Sequence, residues 1–320
     1  MRTLKRLLLI ISSITILLIG WFYLHIHSNI KLPTATYELS IQPGSNLKQI
    51  SQQLANAGII PSQWTFIILA RYLNHESAIK AGDYELTGNL SQIALLDYLI
   101  KGNAKQNEIK FIEGWTFAQI RKVLNEHPAI EYKSAGLSDQ QILQHIGASE
   151  TAVEGIFFPD TYYFIKGSSD LDILQRTYKT MQNHLQNYWS ERVESLPLNT
   201  PYEALILASI IEKETGAESD RAEIAGVFIN RLRKGMKLQT DPTVIYGLGE
   251  QFDGNLRKKD LLADQEYNTY TRAGLPPTPI SLPSLASIRA ALNPAETDAL
   301  YFVAKGNGES EFSTNLADHN

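Results

Sequence analysis

Two glutamates, Glu212 and Glu214, stand at the end of the segment ALILASIIEKET (204–215), which is otherwise almost entirely apolar. A carboxyl group at the end of a buried helix is partly desolvated, and this raises its pKa because the charged form is disfavoured. A carboxyl group that keeps its proton near neutral pH can act as a general acid. Residues two apart on a helix point about 200° apart, so only one of the pair can face a given cleft. The alternative interpretation is a solvated charge cluster that merely ends a helix.

The helix that carries this pair has a well-marked start. Thr200 can cap it, a proline follows in the first turn, and Glu203 stands at the capping-box position. Gly216 is a typical helix stop. The sequence therefore predicts a central, buried helix over 201–215, followed by a second helix that Ser219 caps.

Two polar segments follow these helices, LQTDPTVIYG (238–247) and EYNTY (266–270), the latter leading into a proline-rich stretch. We expect both to be rigid loops whose side chains suit hydroxyl and N-acetyl groups. The chain has no HExxH, GxSxG, SxxK or phosphate-loop motif, and its seven histidines are scattered. We therefore predict no metal site and no cofactor.

The N-terminal sequence indicates that the chain is anchored in a membrane. Residues 7–24 form an 18-residue stretch without a charge, and Arg2, Lys5 and Arg6 precede it. A helix of this length, at about 1.5 Å per residue, crosses a bilayer core, and basic residues stay on the cytoplasmic side. We expect residues 1–31 to form a short cytoplasmic tail and a transmembrane anchor, with the remainder outside the cytoplasm. A cleaved signal peptide is the alternative, although no clear small-x-small cleavage site follows the run.

The rest of the chain is expected to have the fold class α+β. Residues 32–105 show strand, helix, helix and strand patterns, which resemble a LysM-like glycan-binding module; a generic packing domain is the alternative. Residues 106–320 form a larger α+β domain, which contains the two glutamates. The aromatic segment GIFFPDTYYF (155–164) can line a sugar cleft or pack in the core.

Charge and cysteine content exclude several functions. The net charge is −5, yet residues 1–31 carry four basic side chains and no acidic one, which leaves 25 basic and 34 acidic side chains in the remainder. Phosphate binding needs a basic face, so we do not expect nucleic acid as a partner. The absence of cysteine excludes disulfides, thiolate metal sites and cysteine nucleophiles.

Four runs resemble the endolytic murein transglycosylases, the YceG-like family: ASIIEKET (208–215), VFINRLRKGMKLQTDPTVIYG (227–247), YNTYTRAGLPPTPI (267–280) and YFVAKGNGESEFSTNLADHN (301–320). The segment FFPDTYYF (157–164), the turn PGSNL (43–47) and the anchor match in the same order. The resemblance covers nearly the whole chain and is strongest over 201–320.

The resemblance implies one catalytic glutamate, which we assign to Glu214, with Glu212 as the fallback. It also implies a set of residues that shape the substrate cleft: Gln239, Thr240, Asp241, Asn268 and Tyr270. The implied reaction cuts the β-1,4 MurNAc–GlcNAc bond of nascent peptidoglycan strands and leaves a 1,6-anhydroMurNAc end. One carboxyl group, acting as acid and then base, is sufficient because the attack by the sugar's own 6-hydroxyl is intramolecular.

The same resemblance implies a single-pass protein of the bacterial cytoplasmic (inner) membrane, with glycan strands as substrate and peptidoglycan synthases (penicillin-binding proteins) as partners. Two alternatives remain. A hydrolase would need a second carboxylate, Asp241 or Glu218, about 6.5–9.5 Å from Glu214. A non-catalytic glycan-binding scaffold would leave Glu214 exposed, with no cleft around it.

Overall fold

The computed structural model describes residues 2–42, 44–88, 90–102, 107–305 and 310–319. The chain is a mixture of helices and short strands, which confirms the α+β class. It divides into two compact units, 1–108 with 163–167 and 109–162 with 168–320. The predicted divisions 1–31, 32–105 and 106–320 stay predictions. Pro43 of the predicted PGSNL turn, and residues 306–309 and 320 of the last family-like run, lie outside the described residues.

The first helix, α1 (Arg2–His27), contains one segment, Leu8–His27, that is long and apolar enough to cross a membrane, with a mean hydropathy of 2.0. Most of its apolar side chains are exposed, whereas Ile26 and Ile30 at its end are buried in the first unit. Length and composition of this kind fit a membrane anchor or a signal sequence.

The first unit has the predicted order of strand, helix, helix and strand. Its elements are β1 (Thr36–Ile41), α2 (Leu47–Asn56), α3 (Gln63–Tyr72), β2 (Gly82–Thr87) and α4 (Gln92–Lys101). The two strands pair antiparallel, with Leu39 opposite Tyr84. Asn46 begins α2 with a capping box, in which its side chain and that of Gln49 each accept a backbone N–H. The element order alone does not establish a LysM-like module, so that resemblance stays a prediction.

Between residues 107 and 190 the chain alternates short strands and helices. These are β3 (Asn107–Lys110), α5 (Phe117–Glu126), β4 (Ile130–Glu131), α6 (Asp139–Ile146), β5 (Thr161–Phe164), β6 (Ser168–Ser169) and α7 (Asp170–Ser190). Strand β3 pairs with β5, and β4 pairs with β6 in parallel. Phe157, Phe158 and Tyr162 of the aromatic segment are buried, so these rings pack in the core and do not line a cleft.

The remainder is built around a central helix. Its elements are α8 (Pro201–Glu214), α9 (Glu218–Arg233), α10 (Asp241–Leu248), α11 (Lys258–Leu262), α12 (Leu285–Leu292), β7 (Tyr301–Ala304), β8 (Ser310–Ser313) and α13 (Leu316–His319). Every residue from Ala204 to Ile211 is buried, and α8 packs against α7, α9, α10 and α12. This confirms the predicted buried helix, and its burial places the Glu212–Glu214 pair at the edge of the core.

Two local predictions were wrong. Ser219 does not cap α9: the helix begins at Glu218 with Ala217 as its N-cap, and the Ser219 hydroxyl donates to Asp220. The segment 238–247 is not all loop, because α10 begins at Asp241. The proline after Asp241 suits a first helical turn, where its missing N–H has no intrahelical acceptor to lose.

Candidate active site

A cavity of about 340 Å³ lies at the C-terminal end of α8. The residues that line it are Glu214, Arg231, Gln239, Asp241, Tyr270, Tyr301, Phe302, Leu316 and His319. Four of them, Glu214, Gln239, Asp241 and Tyr270, were predicted as site residues. The structure therefore gathers most of the predicted site around one cavity.

Glu214 lines the cavity, and one of its two oxygens is held by a protein donor. The Thr240 hydroxyl donates a hydrogen bond to Oε1, and within the described residues nothing donates to Oε2. Burial raises the pKa of Glu214, and the nearby Asp241 carboxylate raises it further. The Thr240 hydrogen bond and the Arg231 charge act in the opposite direction without cancelling the effect of burial. Glu214 therefore keeps its proton to a higher pH than an exposed glutamate does.

Glu212 points away from this cavity and is held by another helix. Its Oε2 accepts hydrogen bonds from the Ser284 N–H (2.9 Å), the Ser284 hydroxyl (2.5 Å) and the Ser287 hydroxyl (2.7 Å). Arg221 lies 3.9 Å from its other oxygen, and the side chain is 7% exposed. Ser284 is the N-cap of α12, where the helix dipole favours a negative charge. Glu212 thus anchors the end of α8 to α12, and the expected opposition of the two glutamates is confirmed.

Thr240, the partner of Glu214, is itself fixed by a group of threonines. Its N–H donates to the Thr269 hydroxyl (3.1 Å), and its carbonyl accepts from the Thr243 hydroxyl (2.7 Å). The hydroxyls of Thr243 and Thr269 lie 2.9 Å apart. Gln239, at a φ of 49°, adopts the left-handed conformation and donates its N–H to the Thr269 carbonyl at 3.1 Å. These contacts join segment 239–243 to segment 268–270, so the donor to Glu214 has little freedom to move.

Asp241 and Tyr270 form a second pair in the cavity. The Tyr270 hydroxyl donates to Asp241 Oδ1 at 2.6 Å. Burial raises the pKa of Tyr270, and its hydrogen bond to the Asp241 carboxylate raises it further. The tyrosine is therefore protonated and remains a hydrogen-bond donor across the pH range of most enzymes. Asp241 is exposed, so a ligand can reach its second oxygen.

The structure does not bring Asn268 to the cavity. Its side chain is buried, and its amide nitrogen donates to the carbonyls of Asp260 (3.2 Å), Leu261 (3.1 Å) and Ala263 (2.7 Å). Its amide oxygen accepts the Tyr270 N–H at 2.9 Å. These bonds occupy the whole side chain, so its contribution to the cavity is to hold the loop that carries Tyr270.

Arg231 is a cavity residue that was not predicted. Its guanidinium donates to the carbonyls of Leu300 (2.7 Å) and Leu238 (2.6 Å) and lies 5.2 Å from the centre of the Tyr301 ring. Burial lowers its pKa, although the Tyr301, Tyr270 and Glu214 groups oppose this effect. The cavity wall formed by β7 and α13 was also missed. Both elements lie in runs that carry the family resemblance. Their residues, however, are not of types that indicate acid chemistry by themselves.

Another buried carboxyl group, that of Glu154, lies beside a larger cavity of about 830 Å³ whose lining includes Lys213, Ile245 and Tyr246. Glu154 accepts the Phe117 N–H at 3.0 Å and the Tyr246 hydroxyl at 3.1 Å. Burial raises its pKa to about 7, because those hydrogen bonds only partly offset desolvation. It connects the start of α5 to α10, the helix that begins at Asp241.

Of the two candidates for a second carboxylate, only Asp241 shares the cavity with Glu214. Glu218 is exposed at the start of α9 and is absent from the cavity lining. Asp241 therefore stays the candidate for a water-activating base. The exposed, cleft-free Glu214 expected of a scaffold is not what the structure has.

Comparison with known proteins identifies the family of the chain. The model of the YceG-like family matches residues 39–320. The chain is 33% identical over 303 residues to the endolytic murein transglycosylase of Bacillus subtilis (strain 168), which covers 89% of this chain and 83% of that protein. It is 29% identical over 315 residues to the endolytic murein transglycosylase of Streptococcus pneumoniae serotype 2, covering 88% of this chain and 56% of that longer protein. A crystal structure of a YceG-like protein from Listeria monocytogenes superimposes with a TM-score of 0.56 at 30% identity, covering 89% of this chain and 98% of that one. The chain therefore belongs to the YceG-like family.

Proposed function

We propose that this protein is a membrane-anchored endolytic lytic transglycosylase of peptidoglycan, in which Glu214 is both the acid and the base. The observation that carries the proposal is the state of Glu214. Its pKa is raised by burial, its side chain lines a cavity, one oxygen is held by Thr240, and the other accepts no hydrogen bond within the described residues. The name that the Bacillus and Streptococcus relatives bear supports the same reaction.

The proposed reaction uses one carboxyl group twice, first as an acid and then as a base. Glu214 donates its proton to the oxygen that bridges MurNAc C1 and GlcNAc C4, the C1–O bond breaks, and the GlcNAc end leaves as an alcohol. The Glu214 carboxylate then removes the proton of the MurNAc 6-hydroxyl, whose oxygen bonds to C1. The products are a 1,6-anhydroMurNAc end and a free GlcNAc end, and Glu214 is protonated again, by the proton of the 6-hydroxyl, without consumption of water.

The surrounding groups stabilise the charges that this cycle creates. After the first step Glu214 is a carboxylate, which the Thr240 hydrogen bond and the Arg231 charge both favour. The sugar carries positive charge in the oxocarbenium-like state, and the Asp241 carboxylate in the same cavity attracts that charge. We propose that Gln239 and Tyr270 contact the sugar directly, whereas Asn268 acts by holding Tyr270.

A hydrolase is the second candidate, because Asp241 lies in the cavity and could activate a water molecule. The two reactions differ in their products, since hydrolysis leaves a reducing MurNAc end and transglycosylation leaves an anhydro end. Asp241→Asn would abolish a hydrolase that uses it as base. In the transglycosylase it removes only an electrostatic contribution.

The proposal extends to location and partners. We propose that Leu8–His27 is an uncleaved anchor in the bacterial cytoplasmic membrane, with the N-terminus in the cytoplasm and both units outside it. The first unit would then act as a LysM-like glycan-binding module close to nascent strands. Peptidoglycan synthases are the partners expected at that location.

The test is a product analysis with the full chain in detergent. Purified glycan strands are digested by the wild type and by Glu214→Gln, Glu212→Gln and Asp241→Asn, and the fragments are identified by mass spectrometry. We expect anhydro ends from the wild type, none from Glu214→Gln, and reduced amounts from Asp241→Asn. Glu212→Gln is the matched control, because its carboxylate is two residues away and faces α12. Reducing ends would favour the hydrolase, and full activity of Glu214→Gln would refute the assignment of the acid.

A further inference from the structure

Helix α3 exposes a ridge of large apolar side chains. Trp64 is 61%, Ile68 53% and Tyr72 79% exposed, and Arg71 is the other exposed residue of this helix. Residues four apart lie above one another on a helix, so the three side chains form one continuous stripe. The opposite face of α3 is buried in the first unit, which includes Phe66 at the centre of its core. The stripe is therefore a surface feature of a well-packed helix and not a loosely folded segment.

The stripe begins close to the end of the candidate membrane span. The Thr65 hydroxyl, next to Trp64, donates to the Gln92 side-chain oxygen at 3.3 Å. The Gln92 amide nitrogen in turn donates to the carbonyl of His25, on the last turn of α1, at 3.4 Å. Helix α1 also contacts both α3 and α4. One buried side chain thus joins the start of α3 to the point where the apolar span ends.

Composition and position together indicate what covers this stripe. Tryptophan and tyrosine are enriched at the boundary between lipid and water, because each has an apolar ring and a polar group. An isolated exposed apolar residue needs no explanation, but three in line on one helix beside a membrane span do. Arg71, the other exposed residue of this helix, is paired with Glu76 at 3.4 Å, so its charge is offset within the protein and only the three apolar side chains indicate lipid.

We propose that α3 lies in the membrane interface, with Trp64, Ile68 and Tyr72 inserted among the headgroups of the leaflet in which α1 ends. The occupant of the stripe is lipid, because α3 contacts α1, the helix that contains the candidate membrane span. This inference rests on the proposed anchoring of α1. Its consequence is that the first unit is held against the bilayer by two elements, the span and the α3 stripe, and does not pivot freely about the anchor.

Site-directed spin labelling of the full chain in vesicles of phosphatidylethanolamine and phosphatidylglycerol tests the proposal. The chain has no cysteine, so each single-cysteine variant carries one label. The stripe is labelled at Ile68→Cys and the middle of the span at Leu17→Cys. Lys48→Cys, on the exposed polar side of α2, is the water-facing control. Collision rates with oxygen, which concentrates in lipid, and with an aqueous nickel chelate are measured at each position.

We expect the oxygen-to-nickel ratio at residue 68 to exceed that at residue 48 several-fold, and to be lower than that at residue 17. A water-like ratio at 68 with a lipid-like ratio at 17 would overturn the stripe proposal and leave the anchor intact. A water-like ratio at 17 would overturn the anchoring on which it depends. Shielding of residue 68 from both reagents would show a protein partner or a second copy on the stripe, which also overturns the proposal.

Discussion

Replacing Glu154 by glutamine should remove a pH dependence from the stability of the second unit. Glu154 is 7% exposed and accepts hydrogen bonds from the Phe117 N–H and the Tyr246 hydroxyl. Glutamine has the same shape, its amide oxygen can accept the N–H, and a tyrosine hydroxyl can accept as well as donate. The substitution therefore removes the titration and keeps the packing.

The magnitude follows from the displacement of the pKa. Burial raises the pKa of Glu154 from 4.5 to about 7, so the folded protein retains a proton that the unfolded chain has released. A group whose pKa is raised by folding stabilises the fold fully at pH values below its pKa in the unfolded chain. That stabilisation is lost as the pH rises through its pKa in the folded protein. A tenfold difference in proton affinity is worth about 1.4 kcal/mol. The wild type should therefore lose about 3 kcal/mol relative to the glutamine variant between pH 4.5 and pH 8.

Thermal unfolding of the full chain in detergent, followed by circular dichroism across this pH range, measures the effect. A change of 1 kcal/mol in the free energy of unfolding moves the Tm of a domain of this size by about 2–4 °C. The difference in Tm between variant and wild type should therefore grow by about 6–12 °C from pH 4.5 to pH 8. Glu250→Gln is the matched control, since it removes an exposed carboxylate from the same cavity and leaves the Glu154 contacts in place. A Tm difference that stays constant from pH 4.5 to pH 8 would refute the reasoning.

Three further substitutions probe the site and its supports. Thr240→Val removes the hydrogen bond that lowers the pKa of Glu214, so the alkaline limb of the pH–rate profile should move to higher pH. Thr243→Val keeps that bond and is the control. An equal movement of the alkaline limb in Thr243→Val would contradict this account. Glu212→Gln weakens charged hydrogen bonds to α12 and should cost about 1.5–3 kcal/mol in urea unfolding; an unchanged midpoint would argue against an anchoring role. Gly155 has a φ of 74°, and Gly155→Ala places a Cβ against a proline ring. The substitution should cost roughly 1–3 kcal/mol of stability, measured as a lower Tm. An unaltered Tm would mean that the backbone shifts to accommodate the Cβ.

The parts of the fold that depend on local signals could be predicted from the sequence. Thr200 does accept the Glu203 N–H at the start of α8, and the apolar run behind it is buried as expected. The two glutamates were correctly expected to face in different directions, because helix geometry fixes that angle. Which of them faces the cavity depends on Ser284 and Ser287, more than 70 residues further along the chain.

Polar residues in the C-terminal segments were harder to interpret, because residue type does not tell whether a side chain meets a ligand or the backbone. Asn268 and Tyr270 come from the same short run, yet one is bonded entirely within the protein and the other lines the cavity. Arg231 was passed over because its role arises from burial under Tyr301 and from the Leu300 carbonyl, neither of which a local pattern contains. Local sequence therefore located the site's segments, and long-range contacts decided the part that each residue plays.

The wall of the Glu214 cavity determines when, during synthesis, the cavity is complete. Tyr301, Phe302, Leu316 and His319 close one side of the cavity, and they follow Glu214 by 87 to 105 positions in the chain. A chain that is made N-terminus first presents Glu214 well before this wall arrives. Until residues 301–319 have been made, the cavity lacks these four side chains. The cavity around Glu214 is therefore completed late in synthesis, although Glu214 itself is made much earlier.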